Sequence, residues 1–177
     1  MNPPGDSPTQ DGREELLQEA ERLLEAGRAK ESGEAGPMRS FLVFSLGREW
    51  YALDLASVRK VIRPSEFARV PGALPEVIGL MNNQGEVLCI LDLRRILGMA
   101  PVSVGSIDTG FVIVVAAGGK EAGVLVDSVD DVWEMPAADV APTLESLDPA
   151  KAKMFEGTIE RDGRFVGLIS APMALNP

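Results

Sequence analysis

Residues 77–98 read VIGLMNNQGEVLCILDLRRILG, and this stretch decides the fold. Residues 77–81 and 86–91 are two short runs rich in Val, Ile and Leu. The polar segment Asn82-Asn83-Gln84-Gly85 between them predicts a β-hairpin, with Gly85 supplying the positive φ of a tight connection. Val87, Cys89 and Leu91 alternate with Leu88 and Ile90, so both faces of the second run are predicted to be buried and the strand to be central. Asp92 then stands where an N-cap belongs. The short helix expected after it, over residues 93–97, contains Arg94 and Arg95 and stops at a left-handed Gly98.

Much of this unit has a second copy downstream. Gly79 and Gly85 match Gly157 and Gly163 at an offset of 78, and Met81, Val87, Ile90 and Leu91 fall on Ile159, Phe165, Leu168 and Ile169. A second match, at an offset of 71, lays Ala52, Leu53, Leu55, Ser57, Val58 and Val61 on Gly123, Val124, Val126, Ser128, Val129 and Val132. The offsets differ by seven, as an insertion after Met135 would produce. Two matches in the same order imply two β units of about five strands each. Short strands with glycine turns at roughly ten-residue spacing predict small barrels. The expected fold is therefore mainly β: two five-stranded barrels side by side, sharing apolar residues across a common core.

Around these units the chain reads simply. Residues 1–10 have the Pro, Gly and Ser content of disorder, and Leu16, Leu17, Ala20, Leu23 and Leu24 then make the stripe of a helix that needs a surface, either its own domain or a partner. Residues 31–37 read as a flexible link. This divides the chain into an extension, 1–37, and a β body, 38–177. Strands are expected over 41–46 and 50–55 around Gly47-Arg48, over 111–116 and 121–126 around Gly118-Gly119, and over 129–135. Asp148-Pro149 is expected to start a short helix ahead of the closing hairpin.

Composition narrows the function. The chain has 177 residues, no histidine and a net charge of −10. The charge argues against nucleic acid, and the missing imidazole removes the usual triads and His metal sites. Cys89 reads as a small buried hydrophobe. Asp127, Asp130 and Asp131 lack the Gly and Glu of a calcium loop and read as a solvated acidic strand end, so neither metal nor cofactor is expected. Lys120 after two glycines lacks the spacing of a phosphate loop. With no signal peptide and no apolar run of membrane-spanning length, a cytoplasmic protein without membrane insertion is expected. Recognition is left to the groove between the units and to the turns at 82–85 and Asp162-Gly163.

The organising stretch resembles the signature of the CheW-like domain. Arg63-Pro64, Val70-Pro71-Gly72, Gly123-x-x-Val126-Asp127-x-Val129 and residues 157–163 extend the likeness over about 38–175. The resemblance implies two intertwined, SH3-like five-stranded barrels. It also implies a non-catalytic adaptor of bacterial chemosensory arrays, joining the cytoplasmic tips of chemoreceptors, the methyl-accepting chemotaxis proteins, to the regulatory domain of the histidine kinase CheA at the inner face of the cytoplasmic membrane. The contact positions it implies are Val58, with Arg59, Lys60 and Ile62 beside it, and Gly79, Asn82, Asn83, Gln84 and Gly85. Gly157, Asp162 and Gly163 are the second-copy counterparts. Two positions depart from the family pattern: Lys60 stands where an acidic residue is common, and Gln84 where the turn usually carries Arg. A divergent adaptor that binds receptors but not the kinase, or serves a non-flagellar pathway, is the alternative. A small-molecule binder using Asp92, Arg94 and Asp127 in the groove is a third reading.

Overall fold

Strand β1 (Met38–Leu46) faces two cores at once: Leu42, Phe44 and Leu46 point into one, Phe41 and Val43 into another. Period-two alternation of large apolar residues allows this when both faces of a strand are covered. The structure, a computed structural model, describes residues 37–102, 109–143 and 149–176. The helix expected in the extension, and Asp148, lie outside the described residues.

Ten further strands follow: β2 (Glu49–Asp54), β3 (Val58–Ile62), β4 (Phe67–Ala68), β5 (Val77–Asn83), β6 (Glu86–Asp92), β7 (Phe111–Ala117), β8 (Lys120–Val126), β9 (Ser128–Pro136), β10 (Phe155–Arg161) and β11 (Arg164–Ile169). Three single-turn helices, α1 (Leu93–Ile96), α2 (Pro149–Ala152) and α3 (Ala171–Ala174), complete the described elements with two 3₁₀ turns. One sheet has the order β10-β11-β2-β1-β9, the other β3-β7-β8-β6-β5-β4.

The duplication is present in the register. Leu168 pairs with Ala52 in the parallel ladder β11·β2, and Ile90 with Gly123 in β6·β8, the same pair under the two offsets. Val129 opposes Phe44 as Val58 opposes Val115, and both ladders carry a bulge at the next residue, Asp130 in β9 and Arg59 in β3. The copies are not side by side, however. Strand β3 leaves β2 for the second sheet, and β9 leaves β8 for the first, so each sheet mixes both copies. The 3₁₀ turn Leu55–Ser57 makes the first crossing, held by Ala56 N donating to Asp54 Oδ1 at 2.9 Å.

Three cores result. Ala52, Trp133, Ile159 and Leu168 join Phe41 and Val43 inside the first sheet, while Met81, Leu88, Ile90, Val112, Val114 and Leu125 fill the second. Between the sheets lies the largest core, with Phe44, Leu53, Val58, Ile113, Val124 and Ile169 among its members. The expected sharing of apolar residues is thus found.

The expected closure is not. The second sheet has six strands, because the loop after Pro64 contributes β4, and neither sheet closes its ladder. At the ends of the first sheet β9 and the β10–β11 hairpin meet through side chains: Arg164 Nη1 donates to Asp130 Oδ2 at 2.7 Å, and the Arg161 guanidinium lies over Trp133 at 5.6 Å. No backbone ladder joins β9 to β10 or β11 there. A single bridge, Ala141 to Thr158, covers the outer edge of β10, as β4 covers the matching edge of β5. Two smaller differences concern length. Strand β9 is longer than its counterpart, since Glu134, Met135 and Pro136 prolong it past the position matching Ile62, where β3 ends. Val87 is 72% exposed rather than buried, because β5 and β6 run beyond the core at their turn.

Candidate functional site

The β5–β6 turn is built by three residues. Gln84 (φ +55) and Gly85 (φ +92) reverse the chain in the two-residue turn that matches strand twist, and Gly85 N donates to Asn82 Oδ1 at 2.9 Å. Asn82, Gln84 and Gly85 are exposed, and Asn83 is half-buried. The second copy repeats the backbone with Asp162 (φ +54) and Gly163 (φ +74), both exposed.

The glycines at the other end of these strands are buried. A Cβ on Gly79 would sit 2.7 Å from Ala68 O, and one on Gly157 would collide with Ala141 O, so each admits the segment that covers its sheet edge. On β3, Val58 is wholly buried in the shared core, so its side chain offers no surface for direct contact. Arg59 is exposed at the bulge, and Lys60 and Ile62 are half-buried. The candidates therefore divide into a surface set, Arg59, Lys60, Ile62, Asn82, Asn83, Gln84 and Gly85, with Asp162 and Gly163 in the second copy, and a buried set, Val58, Gly79 and Gly157.

The structure brings the second-copy surface together. A cavity of about 250 Å³ is lined by Asp130, Asp131, Trp133, Arg161, Asp162 and Arg164. Arg164 also lies over Trp50, 4.2 Å from the ring centroid. Sequence reasoning singled out Asp130, Asp131 and Asp162 but missed the two tryptophans and two arginines. The offsets held the signal, because Asp130, Asp131 and Trp133 match Arg59, Lys60 and Ile62, while Asp162 and Arg164 match Gln84 and Glu86. The cavity is the second-copy image of the candidate surface on β3 and the β5–β6 turn.

The polar residues considered for the groove between the units have structural partners. Asp92 is 3% exposed and its carboxylate accepts from Arg94 N at 3.0 Å, Arg95 N at 3.4 Å and Val102 N at 3.2 Å. Arg94 donates to Asp127, which also accepts from Gly47 N at 2.6 Å and so ties α1 to the β1–β2 turn of the other sheet. Burial pushes the Cys89 thiol up, which disfavours the thiolate. Among the described residues no group of three or more Cys, Asp or Glu is placed to hold a metal ion, and no helix is long and apolar enough to cross a membrane.

Comparison with known proteins places this architecture. The sequence pattern of the CheW-like domain matches residues 40–176, both sheets included. Chemotaxis protein CheW of Bacillus subtilis is 24% identical over 135 residues, 76% of this chain and 85% of that protein. Protein FrzA of Myxococcus xanthus is 29% identical over 132 residues, 75% of this chain and 81% of that protein. The crystal structure of scaffolding protein TtCheW from Thermoanaerobacter tengcongensis superposes with a TM-score of 0.69 at 23% identity, covering 78% of this chain and 88% of that one.

Proposed function

The chain belongs to the CheW-like domain family, and from that membership we propose that it is a non-catalytic scaffold of a bacterial chemosensory system, coupling chemoreceptor tips to the regulatory domain of a CheA-type histidine kinase. The observation that carries the reading is the extent of the match, which spans both sheets and the cores between them, together with relatives that are chemotaxis proteins. Two duplicated surfaces on one rigid body suit a protein that holds two partners at a fixed distance. Recruitment to receptor arrays at the inner face of the cytoplasmic membrane, and a separate extension before the β body, belong to the same proposal. Titration of the purified chain with a CheA regulatory domain and with a receptor tip tests it, and binding to neither overturns it.

A second reading is favoured by two residues on the candidate surface. Lys60 and Gln84 replace the acidic residue and the arginine expected there, and both sit at exposed or half-buried positions where a partner's charge would meet them. Reversing a charge and losing a bidentate donor oppose a partner built for the usual surface. On this reading the chain serves receptors without the kinase, or a pathway other than flagellar motility. Kinase binding gained by the Lys60→Glu, Gln84→Arg variant supports it, and full kinase binding by the unaltered chain dismisses it.

A further inference from the structure

Strands β3 and β9, each at one end of its sheet, differ in what they leave uncovered. On β9 the Arg161 guanidinium lies over Trp133, and the exposed neighbours Asp130, Asp131 and Glu134 are acidic. On β3 the matching Ile62 is half-buried, and Arg59, Lys60 and Arg63 beside it are basic. Lys60 forms no ion pair among the described residues. The chain that leaves β3 continues the same character: Phe67 is half-buried, Arg69 is exposed, and Val70 and Leu74 are 39% and 62% exposed. Ile62 and Phe67 both pack on the rim of the second sheet's core. An apolar strip bordered by cations therefore faces outward from the β body.

The same chain carries a complement to that strip. At helical spacing Leu16, Leu17, Ala20, Leu23 and Leu24 make one stripe, with Glu14 and Glu21 along one border and Glu15 and Glu19 along the other. Residues 11–26 hold six carboxylates against two arginines. The body is entered close to β3: Arg39, the second residue of β1, pairs with Asp54 at 2.6 Å, Asp54 caps the 3₁₀ turn Leu55–Ser57, and β3 starts at the next residue. The six residues from Asp54 to Lys60 cover at most about 21 Å, and the link over residues 28–37 spans up to about 33 Å.

We propose that residues 11–27 fold as an amphipathic helix on the β3 face of their own chain, with the leucines against Ile62, Phe67 and Val70 and the border glutamates against Lys60 and Arg69. Charge selects the site, because the image surface on β9 is acidic and repels this segment. The tether makes a weak contact sufficient: a helix of about four turns is marginal alone, but a short link holds it at an effective concentration on the order of 1 mM. Docked there, the extension covers Arg59, Lys60 and Ile62, and a partner for that surface must displace it. This last consequence rests on the adaptor role, whereas the docking requires neither kinase nor receptor and is measured on the chain alone.

Hydrogen exchange of the full chain, read by mass spectrometry, decides it. Residues 13–26 are expected to exchange about tenfold or more slowly than unstructured chain, at a rate unchanged on dilution of the protein. Leu17→Ser with Leu24→Ser is expected to return them to the unstructured rate and to speed exchange over residues 69–74. Lys60→Glu with Arg69→Glu, which leaves the extension itself unaltered, is expected to release it as well. Adding Glu14→Lys, Glu15→Lys, Glu19→Lys and Glu21→Lys to that variant is expected to restore protection. Unchanged protection of β1, β7 and β8 confirms that each variant keeps its folded body. Exchange of residues 13–26 at the unstructured rate in the unaltered chain overturns the proposal. So does protection indifferent to Lys60→Glu with Arg69→Glu, or left unrestored by the charge swap. Protection that grows with protein concentration overturns it in favour of an extension held by a second copy.

Discussion

Gln84 occupies the left-handed region without being glycine, at φ +55. For an L residue with a side chain this costs about 1–2 kcal/mol, partly offset in a glycine variant by the greater freedom of the unfolded chain. Gln84→Gly is therefore expected to raise stability by about 0.5–1 kcal/mol, read as a higher urea midpoint. Asp162→Gly is expected to gain less, because aspartate tolerates this conformation better. Gly79→Ala runs the other way: its Cβ meets backbone 2.7 Å away, β4 must shift, and a loss of about 1–3 kcal/mol is expected on denaturation. Gly157→Ala, which collides with Ala141 O, is expected to behave alike. Tyr51 supplies a pH signature. Burial first, then its hydrogen bond to Glu49, holds the phenol above its ordinary value. The folded protein keeps a proton that the unfolded chain gives up, so this contribution is whole below about pH 10 and is lost as pH rises above it. Tyr51→Phe is expected to flatten the fall of melting temperature on that alkaline side.

At the scale of elements, α1 shows how one side chain fixes a segment. Asp92 accepts the first free N–H groups of the helix and also Val102 N from the following loop. Asp92→Ala strands those donors in a nearly buried place, and a loss of about 2–3 kcal/mol is expected on thermal or urea unfolding. Asp92→Asn, which keeps one acceptor, is expected to lose less. This cap was legible because the signal is local: an acid ahead of Leu-Arg-Arg-Ile and a glycine after it. The hairpin and the matching glycines were legible for the same reason, since alternation and spacing lie within a few residues of each other. Val87 was not, because alternation assigns a face but not how far a strand outruns its core. The Trp50, Trp133, Arg161 and Arg164 cluster was hidden because its members come from β2, β9, β10 and β11, separated by as many as 114 residues of sequence.

For the whole molecule the decisive fact is which copy pairs with which. The offsets state that β5–β6 resembles β10–β11. They do not state that β11 joins β2 while β6 joins β8, because two copies with the same local pattern offer the same edges. Only the full chain resolves that choice. All six strands of the second sheet fall within residues 58–126, so a fragment of that span retains every ladder of the sheet. It lacks Leu42, Phe44, Leu46, Tyr51 and Leu53, which cover Ile113, Val115 and Val124 across the shared core. Each such side chain is worth about 1.5–3 kcal/mol when fully buried, against a total domain stability of about 5–15 kcal/mol. The fragment is expected to remain unfolded or to aggregate, seen as disperse amide proton shifts in the full chain and collapsed ones in the fragment.

The crossing of β3 and β9 bears on ancestry. A molecule holding a single repeat would bring two strands to one sheet and three to the other, and could finish neither without borrowing from a twin. Joining the twins in tandem removes that obligation of sameness. Once the halves share one gene, a mutation in one is no longer imposed on the other, and what began as a symmetric pair can evolve two unlike faces.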